Sequence, residues 1–298
     1  MNIRVCFAKY DRLRFLGHLD VMRYFQHAIA RSGIPIAYSQ GFHPHMIMSF
    51  AQPLALSMTS DGEYFDCELA IEKAPSDDYA AELAKSLQGA MCDGFYIRSV
   101  TVLPEREPNT RKQTGMSQIA GAMYLCEPLP GFEKPLADAL ASFAGLQSYC
   151  IEKKAKNGTR AVDVRAGVHA IGVVKGDFPN DFLENEDRDS VNYLSDDGVF
   201  SVPETLGDGW GYERSEHSLH RDGALRFLFA VDAGSENNIS AELIATALRQ
   251  IASGVTEESG ADGEEPSSDA GIPERCFTLH RMELYRNRDG HMVSLSEC

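Results

Sequence analysis

The sequence predicts an α+β protein made of two successive β-α-β-β-α-β units, the element order of ferredoxin-like domains. Two observations predict this class. Segments in which apolar side chains recur at every second residue alternate with segments in which they recur at helical spacing. The same order of segments then occurs a second time, after a stretch that contains two prolines. We therefore expect a tandem of two ferredoxin-like units.

The first predicted unit covers residues 1–103. It opens with a strand in which Ile3, Val5 and Phe7 recur at period two. A helix is predicted from Leu19 to Arg31, where Ser32-Gly33 provides an end signal. The remaining predicted elements are strands at 46–50, 64–71 and 95–103, a turn at Thr59-Ser60-Asp61-Gly62 between the first two of these strands, and a helix after Pro75 with Ser76 as N-cap.

Residues 104–116, which include Pro104 and Pro108, are predicted to link this unit to a second one at 117–298. The second unit repeats the element order of the first, with two insertions at 176–222 and 254–274. Its predicted elements are a strand at 120–126, a helix that carries Phe132, Leu136, Leu140 and Phe143, a hairpin of 149–153 and 160–174 that turns at Asn157-Gly158, a strand at 225–231, a helix capped by Ser240, and a strand at 277–286.

The formal net charge of −16 is concentrated in the two insertions. Residues 176–222 carry a net charge of −10 and residues 255–274 carry −7, whereas residues 1–50 carry +4 without counting histidine. The rest of the chain is therefore near neutral and begins with a basic segment. An anionic partner such as RNA is compatible with this distribution, although the net charge alone would argue against it.

The sequence is typical of a cytoplasmic protein that does not enter a membrane. Its start lacks the zones of a secretory signal, and no apolar run approaches the roughly 18 residues that span a bilayer. The seven cysteines are scattered and contain no CxxC pair. We therefore expect unpaired, mostly buried thiols in a reducing compartment.

Side chains that could bind a metal or transfer a proton are densest in the first fifty residues. His18, Asp20, His43 and His45 offer three imidazoles and a carboxylate, a set that suits a divalent metal such as zinc or iron. The same residues could instead act as acids and bases on a phosphodiester. A third hypothesis is structural: Asp20 caps the first helix and the histidines bond to loop backbone.

Two groups of basic residues are candidates for nucleic-acid binding. Three of them lie at i, i+4 and i+8 along the first helix and form one stripe with the two arginines that precede it, although a solvated helix face would look the same. The other group surrounds the predicted Asn157-Gly158 turn. The first group is Arg12, Arg14, Arg23, His27 and Arg31, and the second is Lys153, Lys154, Lys156, Arg160 and Arg165.

One loop could bind an anion, and several known cofactor and catalytic motifs are absent from the sequence. Residues 234–238 precede the Ser240 helix, whose N-terminal amides could hold an anion. The sequence has no CxxxCxxC, so this chain cannot build the usual three-cysteine iron–sulfur site. It also contains no Walker loop, GxGxxG fingerprint, HExxH or GxSxG motif.

Several short motifs follow one another in the first part of the chain. They are Arg14-Phe15-Leu16-Gly17-His18-Leu19-Asp20, Ser39-Gln40-Gly41-Phe42-His43-Pro44-His45, Ser49-Phe50-Ala51 and Ser60-Asp61-Gly62-Glu63-Tyr64. In this order they resemble the radical SAM-associated, or radical SAM-linked, proteins, a domain of unknown function. The later segments Val162-Asp163-Val164-Arg165 and Gly234-Ser235 with Asn238 are similar to that family as well.

The resemblance implies a radical SAM partner protein that holds the iron–sulfur cluster, and a role in the metabolism or modification of tRNA or rRNA. This sequence departs from the family pattern at Gly17, where serine is typical, and at Met46-Ile47, which replace a proline and a basic residue. We therefore expect an accessory or substrate-presenting protein rather than a radical SAM enzyme. The alternatives are a His-dependent endoribonuclease, by analogy with repeat-associated RNA-processing proteins, and a metal-binding accessory protein.

Overall fold

The computed structural model describes residues 1–104, 114–155, 158–174, 192–193, 224–235, 237–254 and 272–297. Over these residues the protein is of mixed α+β class, which confirms the predicted class. Ten of the described strands form one large, mostly antiparallel sheet, and two more form a separate hairpin. None of the helices in the described part of the chain combines the length and the apolar character that crossing a membrane requires.

The first half of the chain forms one end of the large sheet. Strands in this half are neighbours in the order β4-β1-β3, with the short β2 on the far side of β3, and each neighbouring pair is antiparallel. Its elements are β1 (Asn2–Lys9), a 3-10 helix (Asp11–Phe15), α1 (His18–Ser32), β2 (Met48–Phe50), β3 (Thr59–Glu68), α2 (Tyr79–Gly89) and β4 (Phe95–Val102).

The second half forms the other end of the sheet, in the order β11-β5-β10-β8-β9. The first three of these pairs are antiparallel, and β9 is parallel to β8. Its elements are α3 (Gly115–Gln118), β5 (Ile119–Pro128), α4 (Glu133–Gly145), β6 (Cys150–Ala155), β7 (Gly158–Asp163), β8 (Val168–Val174), β9 (Asn192–Tyr193), β10 (Arg226–Asp232), α5 (Ala241–Ala252), β11 (Phe277–Arg288) and β12 (His291–Ser294).

A short parallel pairing between β3 and β11 joins the two halves. It consists of His280 opposite Thr59 and Arg281 opposite Ser60. The last long strand of the chain therefore lies between the two halves, with β3 on one side and β5 on the other. The two halves share one continuous sheet.

Helix α1 packs on the sheet through an aromatic core. Its buried side chains are Val21, Phe25, Ala28 and Ile29, as the periodicity predicts. The Phe25 ring lies 4.4 Å from that of Phe7 on β1. Each fully buried side chain of this kind contributes about 1.5–3 kcal/mol relative to exposure. The helix ends at Gly33, whose φ of 73° is the left-handed conformation that glycine tolerates.

Helices α4 and α5 bury their apolar faces in a second core. The periodicity of α4 correctly predicts Leu136, Leu140 and Phe143 as buried. The prediction of Ser240 as N-cap of α5 is confirmed, since its side chain accepts a hydrogen bond from the Leu243 amide. Both helices are predictable because capping and amphipathic spacing are local properties.

Two boundary predictions are wrong for a shared reason. The second helix begins at Tyr79 after Asp78, not after Ser76, and neither Asp78 nor any other side chain caps it. Residues 160–174 form two strands rather than one, because Asp163 accepts hydrogen bonds from the Tyr149 and Ala166 amides and holds a turn there. In both cases the predicted boundary differs from the observed one at a polar residue, Ser76 in the first case and Asp163 in the second.

The predicted turn between the second and third strands is also wrong. The polar run Thr59-Ser60-Asp61-Gly62 is not a turn but the start of the buried strand β3, with Asp61 fully buried. Polar side chains normally favour turns because water satisfies them. In this protein side chains of other strands satisfy them; His280 of β11 contacts both Thr59 and Asp61.

The predicted linker and insertions are only partly described. Residues 105–113 lie outside the described part, and the last two linker residues, Gly115 and Met116, begin α3. Of the insertions, only 192–193, 254 and 272–274 are described. All six described cysteines are unpaired and four of them are buried, which confirms the prediction for those residues.

Candidate functional site

The start of α1 carries His18 and Asp20 but does not use Asp20 as a cap. Gly17 is the N-cap residue in extended conformation, with no capping side chain. The amide of Asp20 itself bonds to the Gly17 carbonyl at 3.0 Å, and its exposed carboxylate lies 3.8 Å from Arg23 Nη1. The capping prediction for Asp20 is therefore wrong, because the helix begins one residue earlier than predicted.

The other two histidines lie in the loop 39–45, which leads into β2. His45 Nδ1 lies 2.8 Å from Ser39 Oγ, and the His45 amide donates to the same hydroxyl at 3.1 Å. His43 is exposed. His18 lies instead with its ring edge-on to Phe50, at 5.4 Å between centroids. Two of the three imidazoles thus have local packing or bonding partners.

The described residues include all four members of the predicted metal set. Within those residues, no group of three or more His, Cys, Asp or Glu side chains is placed to hold a metal ion. His18, Asp20, His43 and His45 are therefore not assembled into a metal site in the described part of the chain.

The outer face of α1 is as basic as predicted. Arg23, His27 and Arg31 are all exposed, opposite the buried face. Arg31 also donates to the Ala90 carbonyl at 2.9 Å, so part of its guanidinium is engaged. Just before the helix, the Arg14 guanidinium lies 4.9 Å from the centre of the Phe15 ring. Phe15 is 57% exposed.

We call the group of Arg12, Arg14, Phe15, Arg23 and His27 the α1 surface; Arg14 is half-buried and the other four are exposed. It combines cationic and aromatic side chains, the two side-chain types that bind single-stranded nucleic acids. Two carboxylates, Asp11 and Asp20, border it.

The second predicted basic group is only partly assembled. Strands β6 and β7 form the predicted hairpin, in which Lys153 lies opposite Arg160, and both side chains are exposed. Lys156 and the side chain of Lys154 lie outside the described part. Arg165 does not belong to this group: it donates to the carbonyls of Val168 and Ala144, because residues 164–167 form a separate turn.

Buried charged and polar side chains line the junction of β3 and β11. None of them is among the residues that the sequence predicts to form a site. We call this group the polar seam; its members are Asp61, Glu63, Tyr64, His280, Arg281 and Glu283. Among them, Arg281 donates from Nε and Nη2 to the Glu63 carboxylate at 2.6–2.8 Å. Arg281 is 1% exposed. Burial alone would lower the pKa of this guanidinium, but Glu63 and Tyr124 raise it above its ordinary value.

A second network of the polar seam involves Asp61 and His280. The Tyr10 hydroxyl donates to the Asp61 carboxylate, whose other oxygen lies 3.3 Å from His280 Nε2. His280 Nδ1 lies 2.8 Å from the Thr59 hydroxyl, and Arg98 donates to the Asp61 carbonyl at 3.2 Å. Three strands and the loop after β1 therefore meet at the buried residue Asp61.

Glu283 is the third buried carboxylate of the seam. Burial raises its pKa from 4.5 to about 7, and hydrogen bonds from the Tyr64 hydroxyl and the Leu284 amide oppose that shift. A Cβ at Gly62 would approach the Glu283 side chain and backbone to 2.8 Å. Glycine at position 62 is therefore what allows β11 to lie this close to β3.

A further buried ion pair fixes the outer face of β1. Arg4 donates to the Asp66 carboxylate at 2.7 and 3.1 Å, and Asp66 also accepts from the Gly115 amide. Arg4 reaches the Leu295 carbonyl at 3.1 Å as well. Residues from four distant parts of the chain are thus joined by this ion pair and its hydrogen bonds.

The sequence contains one signal that indicates the polar seam. The segment from Ser60 to Glu63 is polar, yet it is followed directly by Tyr64-Phe65, and His280, Arg281 and Glu283 lie in an otherwise strand-like apolar run. Charges in two such segments predict a buried pairing if both are central strands. Without the pairing partner, polar turn chemistry was the simpler interpretation.

The loop before α5 makes side-chain contacts rather than presenting open amides. Asp232 accepts from His169 Nε2 at 2.6 Å and from Asn237 Nδ2 at 2.9 Å. Asn238 accepts from Gln52 at 2.9 Å, which ties this loop to the segment after β2. Because a carboxylate already lies beside the loop, its surroundings do not favour a second anion.

Comparison with protein-family models identifies a family for most of the described first half of the chain. Residues 2–193 match a family model described as an uncharacterized protein conserved in bacteria, DUF2344. The match covers more than half of the chain and includes the α1 surface, the loop 39–45 and β3. No curated protein matches the chain.

Proposed function

This chain belongs to DUF2344, an uncharacterized family conserved in bacteria, and we propose that it is a cytoplasmic accessory protein that binds RNA and presents it to a radical SAM partner. The radical SAM association comes from the sequence resemblance. The family match supports only a domain of unknown function.

One observation carries the RNA-binding part of the proposal: the exposed cationic and aromatic side chains of the α1 surface. Arg14 lies against the exposed Phe15 ring, and Arg23 and His27 continue the same surface along the helix. An aromatic face can stack on a base while guanidinium groups contact phosphates. Arg23 and His27 lie on α1, whose opposite face is packed in the core, and this packing favours a defined orientation of the bound strand.

The proposed partner carries the iron–sulfur chemistry. The cysteines of this sequence contain no CxxxCxxC motif, the usual ligand set of a radical SAM cluster. The proposal therefore gives this chain a binding and presenting role. Its test is whether the tagged protein, expressed in its native bacterium, co-purifies with a radical SAM protein; repeated purification without one would overturn this part.

The RNA-binding part is tested by the salt dependence of affinity for total tRNA and rRNA fragments. We expect binding that weakens as salt rises, since each phosphate contact contributes a slope of about −0.7 to −0.9 in log affinity against log salt. Arg12→Ala combined with Arg14→Ala should reduce the slope by about 1.5. The matched control replaces the exposed Arg275 and Arg288, which lie outside the α1 surface, and should change the slope much less.

Absence of salt-sensitive binding by the unaltered protein would overturn the RNA-binding proposal. An equal loss of slope in the control would show that binding follows total charge and does not use the α1 surface.

We also propose that each half of the chain is a ferredoxin-like unit. The support is the strand order. In the first half, β1, β2, β3 and β4 lie in the order β4-β1-β3-β2, and in the second, β5, β8, β10 and β11 lie in the order β11-β5-β10-β8. Both orders place the first strand of the half beside its last, with α1 and α4 after the first strand. The β6–β7 hairpin is an addition to the second unit.

A further inference from the structure

Phe42 is the most exposed large apolar side chain among the described residues. Its relative exposure is 101%, and it lies at the tip of the loop 39–45. Gly41 before it has a φ of 121°, a conformation that a side chain at that position would strain. A phenyl ring in this position makes almost no contact with its own chain.

The loop that carries Phe42 is tied at its base. Tyr38 and Met46 form an antiparallel bridge, and the Ser39 amide donates to the His45 carbonyl at 2.8 Å. The Ser39 side chain adds two contacts to His45, one to its amide and one to its ring. Because the loop is fixed, presenting Phe42 to a ligand costs little further conformational entropy.

The segment that carries Phe42 favours an anionic partner. Between Asp20 and Asp61 the sequence contains no aspartate or glutamate, in a chain whose net charge is −16. His43 and His45, on the same loop, are exposed. When the Ser39 hydroxyl accepts from the His45 amide and gives its own proton to Nδ1, the neutral imidazole carries its proton on Nε2, where it can donate to a phosphate oxygen.

We infer that Phe42 is a stacking platform for an unpaired base of single-stranded RNA, with His43 and His45 beside the adjoining phosphates. The inference rests on the proposed RNA-binding function and names the class of RNA. Bases in a duplex already stack on their neighbours and do not present a free face, whereas a single strand does. The ring provides a π-face, so recognition needs no particular base.

The test measures binding of the full chain to a labelled single-stranded RNA of about twelve nucleotides and to its duplex, by fluorescence polarisation. We expect tighter binding to the single strand. Phe42→Ala should weaken single-strand binding about 5- to 100-fold, the range that corresponds to loss of one stacked base. Phe42→Trp should retain it. Leu56→Ala, at an exposed apolar residue outside the loop, is the matched control and should bind like the unaltered protein.

Phe42→Leu separates stacking from simple apolar contact, because leucine keeps the apolar surface but lacks the π-face. Single-strand affinity as high for Phe42→Leu as for the unaltered protein would overturn the inference and indicate an apolar pocket of a partner protein instead. Unchanged affinity of Phe42→Ala in a protein that does bind RNA would overturn the inference alone. No RNA binding by the unaltered protein would overturn both the inference and the proposed function.

Discussion

Two groups of charged side chains in the described part of the chain, the α1 surface and the polar seam, have opposite surroundings. On the α1 surface they face solvent, and its closest ion pair, Asp20 with Arg23, is exposed at 3.8 Å. In the polar seam, Arg281 and Glu63 are buried at 2.6 Å. Exposed pairs contribute less than about 1 kcal/mol, whereas removing one partner of a buried pair costs about 3–5 kcal/mol. The same chemistry thus stabilises a strand junction in one region and remains accessible to solvent in the other.

Removing the charge of Arg281 should have the largest effect on stability. Arg281→Met leaves the Glu63 carboxylate buried without its hydrogen-bonded partner, although Lys9 remains near it, and should lower the free energy of unfolding by about 3–5 kcal/mol. Urea unfolding followed by circular dichroism measures this loss. Because the single variant could fail to fold, Glu63→Gln combined with Arg281→Met is included, and it should recover much of the loss. A loss below about 1 kcal/mol in Arg281→Met would contradict the buried pairing.

Glu283 should make stability depend on pH. Its pKa of about 7 in the folded protein lies above the ordinary 4.5, so between these values the folded state keeps a proton that the unfolded state releases. The contribution of Glu283 to the free energy of unfolding therefore falls as pH rises through this window, by about 3 kcal/mol in total. Glu283→Gln removes the effect, so the stability of the variant relative to the unaltered protein should rise from pH 4.5 to 7.

The measurement for Glu283 is urea unfolding of both proteins at several pH values. Glu82→Gln, at an exposed residue of α2, is the control and should keep the pH dependence of the unaltered protein. A stability difference between Glu283→Gln and the unaltered protein that stays constant across the window would count against the burial of an ionisable Glu283.

The smallest effect is expected at Asp20. Asp20→Ala removes an exposed carboxylate in the first turn of α1 that does not cap the helix. Its remaining contributions are the helix dipole and the contact with Arg23, so we expect a loss below about 1 kcal/mol that shrinks further in high salt. Asp138→Ala, which removes an exposed partner of Lys134 on α4, is the comparison. A loss near 2 kcal/mol at Asp20 alone would restore the capping hypothesis.

The sequence predicted what depends on neighbouring residues. The buried face of α1, the Ser240 cap and the β6–β7 hairpin follow from spacing and turn chemistry within one element. The exposed stripe of Arg23 and His27 follows from the same spacing. These features required no knowledge of distant parts of the chain.

The polar seam could not be predicted in the same way. Asp61 and Glu63 resemble a turn until β11 supplies His280 and Arg281 as partners. The histidines at 18, 43 and 45 presented the opposite case, because residue type predicted a site whose members the fold does not assemble for a metal. Pairing in three dimensions, rather than composition, decided both outcomes.

The separation of the seam's partners along the chain has a consequence for synthesis. Glu63 and Arg281 are 218 positions apart, so Glu63 emerges from the ribosome long before its partner. Until β11 is made, this carboxylate lacks the guanidinium that holds it by hydrogen bonds in the folded protein, and burying it would carry a cost of desolvation that Arg281 later offsets. We therefore expect the final arrangement of β3 to form only after β11 has been synthesised.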